Sequence, residues 1–211
     1  AFGWDGGVNH LEIFHLGPLT NELEMGDNMS HVLNRLNHDE TYRKLFKTHY
    51  NVDQITDYEL FMALTLYISQ IQSYQTKYDD FRQGKAHFNQ AEKEGYQLFQ
   101  QRCTACHQEP LFTNFSYQNN GLDSIFADSG RGKITKEISD YGKFRVPSLR
   151  NVTLTYPYMH DGRFWDLNEV LDHYSEGILE NSQNLSPLLK KGMKLSASEK
   201  SNIIAFLKTL T

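Results

Sequence analysis

From about residue 28 onward apolar residues recur at three- and four-residue spacing. No stretch keeps the strict alternation of a half-buried strand, so the pattern predicts an all-α fold. The clearest segment is Thr56 to Tyr74. It opens with the capping box Thr56-Asp57-Tyr58-Glu59 and sets Leu60, Leu64, Tyr67, Ile68 and Ile71 at helical spacing. Gln75 to His87 is polar, without a stable apolar face, and reads as the boundary between two halves, residues 1–83 and 84–211. A helix from near Asn89, with Glu92 three residues on, brings Gly95, Tyr96 and Phe99 onto one side. A short helix from Leu167 to Tyr174 follows Asp166, with Glu169 at the capping-box position, and ends near Gly177. Ser196-Ala197-Ser198-Glu199 opens the last helix, which carries Ile203, Ile204, Phe206, Leu207 and Leu210. Between these lies Gln108 to about Asp166, mostly loop; a loop this long in a compact domain is usually functional.

Composition narrows the class. Hydrophobic residues make up 39% and aromatics 13% of the 211, which excludes a charge-dominated disordered chain. Lys plus Arg number 21 against 26 Asp plus Glu, a net charge of -5 without the basic footprint of a nucleic-acid binder. Leu60 to Ile71, the longest apolar stretch, is interrupted and falls short of the roughly 20 residues of a transmembrane segment.

The two cysteines, Cys103 and Cys106, both belong to one C-x-x-C-H string ending at His107. Zinc would want a second ligand pair, and a thioredoxin-like dithiol a βαβ setting; neither is present. Covalent haem uses all three residues, the thiols adding to the vinyl groups and His107 binding iron. A helix leading into the motif and a last helix with an aromatic and aliphatic face suit a cytochrome c fold, in which the two cross and Gly95 permits close approach. Haem attachment of this kind follows export, so the periplasm is the expected compartment. Residue 1 opens no signal-peptide pattern, which implies a removed signal or an internal start.

Four strings resemble the bacterial dihaem cytochrome c peroxidases and their MauG-type relatives. They are Trp4-Asp5-Gly6-Gly7 with Gly17-Pro18 and Glu22-Leu23-Glu24-Met25-Gly26; the Cys103 to His107 motif preceded by Glu94-Gly95-Tyr96-Gln97-Leu98-Phe99; Phe144-Arg145-Val146-Pro147-Ser148-Leu149-Arg150-Asn151 running into Thr155-Tyr156-Pro157-Tyr158-Met159-His160-Asp161-Gly162; and the closing Ile204-Ala205-Phe206-Leu207-Lys208-Thr209-Leu210. The resemblance implies two haems, with the first haem motif upstream of this chain. Residues 1–83 would then be the later half of the first, peroxidatic domain and residues 84–211 the second domain, with its own haem c. Two positions depart from the family: Phe14 stands where peroxidases often have glutamine, and Gly7 replaces a frequent arginine.

Residue by residue, Glu24 matches the glutamate over the open face of the first haem, where it would move a proton between peroxide oxygens; the plainer reading is a carboxylate near a helix start. Trp4 matches the inter-haem tryptophan, or is simply a buried aromatic. Arg145 and Arg150 would contact haem propionates, or are ordinary surface arginines. His160 could be a second iron ligand on spacing alone; the resemblance implies a residue of the haem environment instead. Thr155 and Pro157 match positions whose backbone carbonyls bind calcium. For the second sixth ligand the sequence offers Met159, His160, His173, Tyr174 and Met193. The family position falls at Tyr174, a methionine in peroxidases and a tyrosine in MauG; in the alternative, Tyr174 packs its helix end and Met193 binds iron.

The implied function is reduction of hydrogen peroxide with electrons from a small donor protein, a cytochrome c or a cupredoxin, in an arrangement compatible with a homodimer. The rivals are a MauG-like oxidase acting on a partner protein and a monohaem electron carrier.

Overall fold

Capping side chains open most of the α-helices in the computed structural model, which describes residues 1–211. The chain separates into two compact units: Ala1–Phe2 with Val8–Gln72, and Gly3–Gly7 with Ser73–Thr211.

The first unit holds α1 (Leu11–Phe14), α2 (Leu16–Thr20), α3 (Met29–His38), α4 (Glu40–Tyr50) and α5 (Asp57–Gln70). The Asn28 side chain accepts from the His31 amide, and the Asp39 carboxylate from those of Thr41 and Tyr42, so two caps divide one apolar run into α3 and α4. The capping box of α5 forms as expected, the Thr56 amide donating to Glu59 at 2.9 Å. α1 packs on α5, where buried His15 meets the Thr65 hydroxyl at 3.1 Å. The second half of α5 departs from the expected core face. The helix stops at Gln70, and Tyr67 and Ile71 remain 67% and 68% exposed, because no other element of the unit covers them.

The second unit contains α6 (Lys77–Arg82), α7 (Gln90–Arg102), α8 (Arg131–Thr135), α9 (Leu167–Asp172) and α10 (Ala197–Leu207). α9 runs into a single π turn, His173–Gly177. The segment 75–87, expected as a polar boundary, is part of this core. Thr76 and Asp79 cap α6, Tyr78 is 2% exposed, and Phe81 stacks on Phe88 with ring centroids 4.0 Å apart. Six helical residues are too few to display a period, so only packing reveals their inner side. The expected loop of 108–166 holds α8, 3-10 turns and one antiparallel ribbon. That ribbon joins β1 (Tyr117–Gln118) to β2 (Phe144–Arg145), with Tyr117 opposite Arg145. Strands of two residues are likewise too short to alternate legibly.

α7 and α10 cross as the pattern predicts, with Phe99, Ile203, Phe206 and Leu210 fully buried among Tyr78, Phe88 and Phe112. Gly95 makes the crossing possible, since a Cβ there would overlap the Asn202 carbonyl of α10. Gly95→Ala is therefore expected to destabilise the second unit by about 3 kcal/mol. Thermal denaturation of the haem-loaded protein reads this as a lowered Tm, and an unchanged Tm would show that the helices separate freely.

Candidate haem site

α7 delivers the motif. Cys103 caps its C-terminus, and the amides of Cys106 and His107 both donate to the Cys103 carbonyl, at 3.1 and 2.8 Å, so both thiols and the imidazole arise from one turn. The His107 ring donates from Nδ1 to the Phe112 carbonyl at 3.0 Å, which fixes the tautomer and leaves Nε2 as the free ligand atom. Burial lowers its pKa, opposed by the carbonyls of Phe112 and Pro147, so the ring is held neutral, as a metal ligand must be. Burial pushes the Cys103 thiol up to about 12 and raises Cys106 as well. A redox dithiol needs a depressed thiol pKa, so this environment disfavours that chemistry. Two unpaired, half-buried thiols beside an oriented imidazole fit covalent haem.

The π turn places Tyr174 with its hydroxyl end inside. Burial raises its pKa, and the thiols of Cys106 and Cys103 add to the rise, so the phenol shares an interior with the motif; the Asn120 side chain acts the other way. Asn120 also meets other candidate ligands. Its carbonyl accepts from His173 Nε2 at 2.9 Å, and its amide contacts Met159 Sδ at 3.4 Å. Met193 donates its amide to the Tyr174 carbonyl at 2.9 Å while its side chain packs on the core. His160 stacks on Phe144 with centroids 3.6 Å apart, beside Asp123 and Asp161, whose carboxylates are bridged by Arg163 at 2.7 and 2.6 Å. Of these candidates, Tyr174 is the one whose ionisation the thiols of the motif bear on. Neither Asn120 nor the π turn leaves a sequence signal, although π turns frequently mark functional sites.

The remaining expected residues divide. Arg150 closes on Asp79 with two bonds of 2.9 and 2.8 Å and also donates to the carbonyls of Pro110 and Ser73, so its guanidinium is committed within the protein rather than free for a propionate. Those bonds hold the Asp79 carboxyl below its usual range. Arg145 donates from Nε to the Gly3 carbonyl at 3.3 Å and from its amide to the Trp4 carbonyl at 2.8 Å. Trp4 itself is 44% exposed rather than buried, in a loop that belongs to the second unit. Glu24 lies exposed in the turn after α2, its carboxylate accepting from the Asn21 amide at 2.9 Å. Thr155 closes a 3-10 turn, and Pro157 precedes the bridge between Tyr158 and Phe164.

A C-x-x-C-H turn between two crossing helices, with the histidine anchored through Nδ1, defines a c-type cytochrome domain. A profile described as di-haem cytochrome c peroxidase matches residues 1–87, and one described as cytochrome c matches residues 92–211. The methylamine utilization protein MauG of Methylophilus methylotrophus is 31% identical over the whole chain, which spans 64% of that protein. The cytochrome c551 peroxidase of Nitrosomonas europaea is 31% identical over 99% of the chain and 60% of its own length. The chain thus spans about three-fifths of these relatives. Among solved structures, a MauG-like protein associated with microbial copper homeostasis superposes with a TM-score of 0.85 at 30% identity, over 98% of this chain and 72% of that one. The diheme peroxidase BthA of Burkholderia thailandensis shares the fold, with a TM-score of 0.83 at 17% identity, over 100% of this chain and 65% of its own. The chain belongs to the bacterial di-haem cytochrome c peroxidase/MauG family.

Matured in a host that attaches c-type haem, the denatured chain is expected to show the added mass of one haem, and the Cys103→Ala, Cys106→Ala double variant none. Two free thiols in the matured wild type would overturn covalent attachment.

Proposed function

We propose that this chain is the electron-transfer half, with part of the peroxide pocket, of a periplasmic di-haem enzyme. That enzyme reduces hydrogen peroxide with electrons from a small cytochrome c or cupredoxin. The observation that carries the reading is the oriented, neutral His107 beside two unpaired thiols, in a chain that also matches the peroxidase profile through residue 87. Bound at His107, a haem supplies an iron that exchanges single electrons.

The residues of the chain have distinct parts in this reading. His107 binds through Nε2, with basicity supported by the Phe112 carbonyl. Glu24 moves a proton at the first haem; its exposed carboxylate is steered by Asn21 and flanked by Leu23, 93% exposed, and by exposed Met25. An upstream first-haem segment would cover these residues together with the bare half of α5. Trp4 relays electrons between the haems. Thr155 and Pro157 offer carbonyls suited to calcium, a hard cation.

Tyr174 favours a second reading, a MauG-like oxidase that withdraws electrons from a partner protein. A phenolate is a hard anionic donor that stabilises the oxidised metal, whereas a thioether favours the reduced one. Turnover of the full-length protein with peroxide and a reduced donor, compared with peroxide-driven oxidation of a partner protein, separates the two.

Tyr174→Phe is expected to change the ferric absorption spectrum and raise the potential of the His107 haem in a redox titration. An unchanged spectrum and potential would transfer ligation to a methionine. In the full-length protein Glu24→Gln is expected to lower peroxide turnover by roughly 10²-fold or more, since acid–base catalysis requires a proton-exchanging group in reach. Wild-type turnover would return Glu24 to a structural role.

A further inference from the structure

The loop Gly3–Gly7 is held at four consecutive carbonyls. Arg145 takes those of Gly3 and Trp4, through its side chain and its amide, and Arg131 Nη1 takes those of Asp5 and Gly6 at 3.2 and 2.8 Å. The guanidinium of Arg131 also lies over the Tyr117 ring, 4.6 Å from its centroid. Tyr117 stands opposite Arg145 in the ribbon, so both arginines grip the loop from one small frame. Arg131 is in turn fixed at its backbone, its amide donating to the Lys143 carbonyl at 2.7 Å. Gly6 adopts φ +68, and a Cβ there would run into the Tyr117 hydroxyl and Arg131 Nη1, so loop and clamp are fitted to each other.

No bonding within the loop accounts for this hold. Its one internal bond runs from the Gly7 amide to the Asp5 carboxylate at 2.9 Å. The backbone of Trp4 is thereby registered on the second unit, although the chain before and after it belongs to the first. We propose that Arg131 is a positioning residue that fixes Trp4 for electron exchange with the His107 haem. This rests on the relay reading of Trp4 given above. With both haems bound, the relay would pass one electron from one iron to the other and return the indole to its starting state, with no bond or proton change. Its rate depends on where the indole is held, and a guanidinium that makes two bonds while lying on an aromatic ring gives a stiffer hold than an ammonium.

The test uses the full-length di-haem protein and its Arg131→Met and Arg131→Lys variants. It reads hydrogen–deuterium exchange over residues 1–10 and the rate of electron equilibration between the haems. In Arg131→Met the bonded amides of Phe2 and Gly7 that bracket the loop are expected to exchange about tenfold faster or more, and electron equilibration to slow by about tenfold or more. Haem content and absorption spectrum should stay unchanged, and Arg131→Lys should recover part of both effects. If Arg131→Met fails to load haem, Gly6→Ala loosens the same contact from the loop side and is read in the same way. Unchanged loop exchange would overturn the proposal, and so would a loosened loop with wild-type electron equilibration. Wild-type equilibration in Trp4→Phe would instead overturn the relay reading, leaving the loop-exchange result to report on the clamp alone.

Discussion

The crossing of α7 over α10 governs the second unit because the haem motif is the direct continuation of α7. Where Gly95 meets the Asn202 carbonyl, the helix axes are fixed closely enough for Phe99 and Phe206 to share one aromatic core with Tyr78 and Phe112. That core sets the depth at which Cys103 leaves the helix. It also sets the place of Phe112, whose carbonyl orients His107. A wider crossing would loosen the aromatic contacts and misplace the ligand together, so packing and iron-binding geometry are one constraint in this unit.

The long segment after the motif has too little secondary structure to hold itself, and arginines serve as its frame. Arg150 joins α6, through Asp79, to the Pro110 turn and the Ser73 carbonyl. Arg163 joins Asp123 to Asp161 across the loop beside His160. Arg131 and Arg145 capture the Trp4 loop. Most of these contacts are forked or charge-assisted, and backbone carbonyls that lack a helix or sheet partner become their acceptors. Asn120 does comparable work, joining His173, Met159 and Tyr174 around the candidate sixth-ligand position.

The first unit is finished differently. Its buried side chains are His15, Phe46, Ile55 and Leu60, while Tyr67, Ile71, Leu23 and Met25 face outward. Such a balance leaves much apolar surface in water for a unit of this size. In the proposed reading an upstream segment and its haem would cover that face, and the exposed Glu24 turn would then lie against the first haem.

The sequence by itself determined what is local. Three capping boxes, the helical spacing in α7 and α10, the need for a small residue at Gly95, and the C-x-x-C-H string are each written within a few consecutive turns. The Pro-Ser-Leu-Arg and Tyr-Met-His-Asp-Gly strings were legible as family signatures, but not their bonding. Only the tertiary structure decided that Arg150 spends its fork on Asp79, 71 positions away, and that Arg131 reaches Gly6 across 125. It also decided that α6 lies in the core, and that a π turn, rather than a continuing α-helix, carries Tyr174. The physical reason is common to all four. A contact between distant segments imposes no period on either, and a short helix or a single turn holds too few residues to show which side will be covered until the covering element is in place.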